Sequence, residues 1–192
     1  MLSTKLKKYN LILASGSPRR QQFLKDLMLD FTIEVKEVEE IYPKDLKGSE
    51  ITDFLAELKA NAFNNLKNND ILITSDTIVW MNGNAIGKPK DRNDAIKIFK
   101  ELSGKKHQVI TSICIKTINE TKIINDKTNV YFKELSDKEI AFYIDNFHPY
   151  DKAGGYGIQD WIGYIGVEKI EGSFFNVMGL PVHKLYTELS KF

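Results

Sequence analysis

Apolar positions along this chain switch repeatedly between strand-like runs and helical spacing, and the switches mark out its elements. Asn10-Leu11-Ile12-Leu13-Ala14 is an apolar run that predicts a buried strand. Ser15-Gly16-Ser17 then predicts a tight turn, with Ser17 as N-cap and Pro18 opening a helix whose φ it already fits. Phe23, Leu24, Leu27 and Met28 recur at helical spacing and are expected to face a core. Phe31 to Val38 alternates loosely, which predicts a second strand leading into the acidic Glu37, Glu39 and Glu40. From about Ile51 to Lys67, Ile51, Phe54, Leu55, Leu58, Ala62 and Leu66 form one stripe of an amphipathic helix.

Ile71 to Met81 reads as a strand, Asn82-Gly83 as a type I′ hairpin turn, and Ile86-Gly87-Lys88-Pro89 as the return arm. Asp91 and Asp94 open a helix through Ala95, Ile96, Phe99 and Leu102 that Ser103-Gly104 stops. His107–Ile118 and Thr121–Phe132 predict a hairpin pair, and Ser136-x-x-Glu139 a capping box for a helix ending near Phe147. Pro149 to Gly163 is Gly-rich and loop-like, Tyr164 to Ile170 predicts a strand, and Pro181 begins a last helix. Strands alternate with helices, but the hairpins make the sheet mixed. The fold class is α/β, a mixed twisted sheet with flanking helices, expected as one domain over residues 1–192.

Composition changes this picture little. The hydrophobic and charged fractions, 42% and 28%, are those of a globular chain. A formal net charge of +1 gives no basic surplus for nucleic acid or membrane. No run is long and apolar enough to span a bilayer, and MLSTKLKKYN lacks a signal-peptide core, so a cytosolic location is expected. The lone cysteine, Cys114, sits in an apolar run and is expected to be an inert buried thiol.

Candidate chemistry starts at Arg19 and Arg20, which fall in the first turn of a helix. A cation there opposes the helix dipole by about 0.3–1 kcal/mol. Two of them make sense if an anion occupies that end, and a polyphosphate suits free amides and guanidinium groups together. Solvated arginines, or the opening loop of a nucleotidyltransferase, would produce the same string. The stretch is neither a Walker A loop nor a dinucleotide fingerprint.

Asp76 interrupts an apolar and β-branched strand, on the face shared with Leu72, Thr74, Ile78 and Trp80. An ionised carboxylate there needs a compensating cation or donor. It reads as a metal-binding or general-base group at a strand end, or else as the cap of a turn if the strand stops at Thr74. Glu39 and Glu40 could join it around a divalent ion. Lys59 projects roughly 20° beyond Leu66, on the shoulder of its helix stripe. Lys88 lies before Pro89 on a stiff turn, and Gln159 follows three glycines in Asp151-Lys152-Ala153-Gly154-Gly155-Tyr156-Gly157-Ile158-Gln159. Glycines let backbone approach a ligand, and Gln159 offers donor and acceptor to a base edge. His107, His148 and His183 show no metal-ligand spacing and receive no role.

Together these pieces resemble the Maf family of nucleoside triphosphate pyrophosphatases. The resemblance is carried by LASGSPRR from Leu13, SDTIV from Ser75, GKPKD from Gly87, LSGKKHQVIT from Leu102, DKAGGYGIQ from Asp151 and GSFFNVMGLP from Gly172. It implies two lobes around a cleft, an architecture like inosine-triphosphate pyrophosphatase, and a homodimer. It also implies hydrolysis between the α- and β-phosphates with a divalent cation, Mg²⁺ or Mn²⁺. By motif, Asp76 matches the family's catalytic acid/base. Ser15, Arg19, Arg20, Glu40, Lys59 and Lys88 match phosphate- and metal-handling positions, with Glu40 and Asp76 as metal ligands. Arg19, Thr77 and Gln159 together resemble the branch that prefers dTTP and UTP. The alternatives are a nucleotidyltransferase, or a nucleotide-binding regulator of septum formation and cell division.

Overall fold

The computed structural model describes residues Met1–Phe192. A short helix α1 (Leu2–Lys5) and a 3-10 turn (Leu6–Lys8) open the chain, burying Leu2 and Leu6. Strand β1 (Asn10–Leu13) and helix α2 (Pro18–Asp26) follow as expected. Ser17 holds the N-cap position, but its hydroxyl makes no cap bond. Met28 departs from expectation too: it lies past the helix end at φ 56° and is exposed, while Phe23 and Leu24 are buried. Strand β2 is only Phe31–Ile33, so the loose alternation up to Val38 does not make a strand.

Helix α3 (Ser49–Asn61) ends six residues before Lys67. Its buried residues are Ile51, Thr52, Leu55, Ala56 and Ala60. Small residues set this face, so it is rotated away from the Phe54–Leu58 stripe that hydrophobicity alone suggests. Strand β3 (Asp70–Met81) is continuous, and β4 (Asn84–Ile86) returns through a turn with Asn82 and Gly83 at φ 51° and 79°. Helix α4 (Arg92–Leu102) is capped by Asp91, which accepts from the Asp94 amide at 2.8 Å. Strands β5 (Lys106–Lys116) and β6 (Thr121–Phe132) and helix α5 (Asp137–Phe147) follow, the last with the full Ser136–Glu139 capping box.

The Gly-rich stretch holds a 3-10 turn (Ala153–Gly155), then helix α6 (Trp161–Gly166) and strand β7 (Val167–Glu171). The strand expected from Tyr164 therefore starts three residues late, because Trp161, Ile162 and Ile165 pack as a helical turn against their core. Helices α7 (Phe174–Val177) and α8 (Val182–Leu189) complete the chain. The strands form a seven-stranded mixed sheet in the order β2-β1-β3-β5-β6-β7, with β4 on β3. β1 is parallel to both β2 and β3, whereas β3–β4 and β6–β7 are antiparallel.

The chain divides into two compact units. The first holds Met1–Asp76, Thr111–Asp126 and Gly179–Phe192, and the second Thr77–Ile110 and Lys127–Met178. In the first, Ile12, Ala56, Ala60, Phe63, Leu72 and Cys114 pack together between the sheet and α3. Burial pushes the Cys114 thiol up to about 11, which keeps it protonated and unreactive, as expected. In the second, Phe99 and Tyr143 meet edge to face at 5.6 Å in a larger aromatic and aliphatic core.

Candidate active site

Asp76 sits within β3, not at its end and not on a turn. It lies midway between Ile73, the last partner of β1, and Val79, the first partner of β4. Here β1 has already turned off into the Ser15–Ser17 loop. The carboxyl end of a parallel strand followed by a helix is where open α/β sheets receive ligands. One face of β3 packs on α3: Leu72 joins the Ala56 and Ala60 cluster, and Thr74 donates to the Ala56 carbonyl at 2.6 Å. Asp76 continues that face and meets Lys59, one turn along the helix from Ala56.

Lys59 Nζ donates to Asp76 Oδ1 at 2.6 Å and lies 3.0 Å from Glu40 Oε1. Its side chain is 17% exposed, against 9% for Asp76 and 46% for Glu40. Lys59 therefore belongs to the buried face of α3 rather than to its shoulder, one turn beyond Leu55. The ion pair supplies the compensation that a carboxylate among apolar residues needs. Glu40 reaches the lysine from the irregular segment after β2.

Arg20 bonds the main chain of this strand segment directly. Its Nη1 donates to the Ser75 carbonyl at 2.8 Å, and its Nε to the Gly179 carbonyl at 2.8 Å. The Ser15 hydroxyl is 3.5 Å from Nη1. Burial pushes the guanidinium down to about 10, with Asp76 and Glu40 opposing that shift and Arg19 adding to it, so Arg20 stays a cation at neutral pH. Arg20 and Asp76 thus share one electrostatic environment, the condition on which a common site depends. Ser15 is buried and its hydroxyl accepts from the Ser17 amide at 3.3 Å. Gly16 beside it faces open space, with nothing within 4 Å of where a Cβ would stand. Arg19 is half-buried in the same helical turn.

The second unit holds Thr77, Lys88 and Gln159. Lys88 is exposed on the turn after β4, and the adjoining Gly87 carbonyl accepts from the Gly154 amide at 2.9 Å. That bond ties the GKP turn to the glycine segment. Gly154 has φ 67°, and a Cβ there would stand 2.5 Å from Val79 Cγ2, so only glycine fits. Gln159 Nε2 donates to Asp160 Oδ1 at 3.1 Å, and its buried Oε1 has no hydrogen-bond partner. Asp160 is held in turn by the Tyr143 hydroxyl at 2.8 Å, which also accepts from the Gly157 amide.

Three further residues, Gly179, Tyr143 and Asp160, hold these side chains in place. Gly179 acts through its carbonyl, which carries no side-chain signal. Tyr143 and Asp160 brace Gln159, and only the chain adjacency of Asp160 and Gln159 hinted at this. His107, left without a role, is buried with Nε2 2.6 Å from the Tyr156 hydroxyl and stands edge-on to Phe132 and Tyr156.

Two carboxylates thus share one ammonium, and a part-buried guanidinium bonds the carbonyl next to one of them. No group of three His, Cys, Asp or Glu side chains comes together. Asp76 and Glu40 therefore offer the sparse oxygen set that Mg²⁺ accepts when water and phosphate complete its shell. A Maf-like protein family model matches residues 10–192, and the chain belongs to that family. It is 60% identical over 191 residues to a dTTP/UTP pyrophosphatase of Flavobacterium johnsoniae, covering 99% of this chain and 98% of that one. It is 55% identical over 192 residues to the dTTP/UTP pyrophosphatase of Christiangramia forsetii, covering 100% and 98%. The fold is shared with a HAM1 protein from Coxiella burnetii at TM-score 0.51 and 16% identity, over 96% of this chain and all of that one.

Proposed function

We propose that this protein hydrolyses dTTP and UTP between the α- and β-phosphates, releasing the nucleoside monophosphate and pyrophosphate. The observation that carries the reading is the convergence of Asp76 and Glu40 on Lys59, beside Arg20, in a chain alike over nearly its whole length to dTTP/UTP pyrophosphatases.

A divalent cation, Mg²⁺ or Mn²⁺, held by Glu40 and Asp76 would offset phosphate charge and make a water more acidic. Asp76 orients the attacking water and takes its proton. Lys59, already poised between the carboxylates, moves its charge onto phosphate oxygens. Arg19, Ser15 and the amides of the Ser15–Ser17 loop hold the triphosphate at the start of α2, and Lys88 adds a further positive charge. Thr77 and Gln159 read the pyrimidine edge. The same reading makes the protein a cytosolic homodimer acting on free nucleotides, for which light scattering at working concentration gives the mass. No helix is long and apolar enough to cross a membrane.

The test is pyrophosphate release from a panel of triphosphates with Mg²⁺ and Mn²⁺ and no acceptor present. Release from dTTP and UTP, well above that from purine triphosphates, supports the reading. Release only when a sugar phosphate is added would make the protein a nucleotidyltransferase. Tight dTTP binding without turnover would make it a nucleotide sensor.

A further inference from the structure

We propose that the two neighbouring arginines at the start of α2 divide their work: Arg19 meets the triphosphate, and Arg20 is a positioning residue that fixes the backbone carrying Asp76. The inference rests on the hydrolytic reading above, and it departs from the simpler expectation that both guanidinium groups grip phosphate.

A guanidinium recognises phosphate best with two parallel N–H donors along one edge of its plane. In Arg20, Nε is engaged by the Gly179 carbonyl and Nη1 by the Ser75 carbonyl, each at 2.8 Å. Two of the five N–H donors are therefore given to the protein's own main chain, which leaves fewer for a phosphate. Both acceptors are main-chain atoms, which no ligand displaces without moving the chain. Burial around this guanidinium is deep enough to push its pKa well below the ordinary arginine value. Arg19 and Arg20 are both half-buried, so the two carbonyl bonds are what set Arg20 apart.

The position of the two carbonyls explains what the clamp accomplishes. Ser75 immediately precedes Asp76 in β3, at a stretch beyond the last residue pair that β1 shares with β3. The Ser75 carbonyl thus finds its charge-assisted donor in a side chain. Gly179 has φ 106°, a conformation that favours glycine, and the Ser75 hydroxyl also points at its carbonyl at 3.5 Å. One side chain from α2 thereby joins the SDT run to the closing GLP segment, two motifs about a hundred residues apart. Bonds of this charge-assisted kind hold geometry more firmly than neutral ones, and small displacements of a catalytic group are costly in rate.

The experiment compares Arg19→Met, Arg20→Met and Arg20→Lys by steady-state dTTP hydrolysis and by binding of α,β-methylene-dTTP with Mg²⁺. Arg20→Met is expected to lower kcat by roughly 100-fold with KM and analogue affinity held within about threefold. Arg20→Lys, which reaches only one carbonyl, is expected to recover a small part of kcat. Arg19→Met is expected to show its loss mainly in KM and analogue affinity. An Arg20→Met protein that keeps kcat and loses affinity overturns the division. Should these variants fold poorly, ¹⁵Nε spectra of the unmodified protein decide. The Arg20 Nε–H is expected to exchange slowly and to hold its shift as the analogue is added. A large Arg20 shift with Arg19 unmoved overturns the proposal. Absence of pyrophosphate release by the unmodified protein would instead count against the hydrolytic reading, and the spectra would still report on the clamp.

Discussion

The two units place polar groups under cover with different proportions of charged and neutral partners. In the first, charges are buried and answered by charges or by paired carbonyls: Lys59 with Asp76 and Glu40, Arg20 with Ser75 and Gly179. In the second, the glycine segment combines an ion pair with neutral bonds: Lys152 bonds Asp151 at 2.8 Å and lies 3.8 Å from Asp160, while His107 meets Tyr156, and Tyr143 meets both Asp160 and the Gly157 amide. The contrast teaches where chemistry and where positioning are invested. An ammonium between two carboxylates can be traded for another cation or for phosphate oxygens. A buried tyrosine–histidine contact has little to trade and simply holds a loop.

The sharpest way to break this comparison is Asp76→Asn, which keeps shape and removes the base. We expect kcat to fall by roughly 10³-fold with KM little changed, measured by pyrophosphate release from dTTP. Turnover within tenfold of the unmodified protein would remove Asp76 from the reaction. Lys59→Met comes next, with an expected loss of about 10²-fold in kcat/KM. It also strands a buried carboxylate, so stability should drop by about 3 kcal/mol in urea denaturation. Combining it with Asp76→Asn should restore most of that stability, since the pair is coupled. An uncoupled pair would place the first unit's ions in the same class as surface charges.

The second unit is tested by pH. Burial holds His107 down to about 4, against about 6.5 in an unfolded chain. Below 6.5 the unfolded chain binds the proton more readily. The histidine's stabilising contribution is therefore complete above pH 6.5 and lost as pH falls toward 4, by up to about 3 kcal/mol. His107→Phe should flatten that part of the stability–pH curve in chemical denaturation. An unchanged slope would mean that His107 is not the buried neutral base. The smallest effect is expected at Arg92, whose two bonds to Asp145 at 2.6 and 2.8 Å lie at the surface, with side chains 48% and 47% exposed. Arg92→Ala should leave the thermal midpoint within measurement scatter, because water already screens such pairs.

Much of this was legible in the order of residues. Asp91 and Ser136 carry their own caps, and Asn82-Gly83 its own turn, because each acts over three or four neighbouring positions. Asp76 stood out because a carboxylate in a β-branched run has a cost that something must meet. What was misread depended on contacts distant in sequence. The α3 face shifted because Ala56 and Ala60, weak in any hydrophobic pattern, allow close packing on β3. The strand at 164 became a helical turn because Trp161, Ile162 and Ile165 found a common core.

The amino-acid sequence by itself determined the α/β class, the paired arginines at the start of α2 and the acid at Asp76 inside an apolar strand, since local propensity and charge cost need no partner to be recognised. Only the tertiary structure decided that Lys59 answers that acid and that Arg20 is engaged by two carbonyls. Such pairings depend on where backbone atoms far apart along the chain come to rest, and a carbonyl at Gly179 is indistinguishable from any other until the fold has placed it.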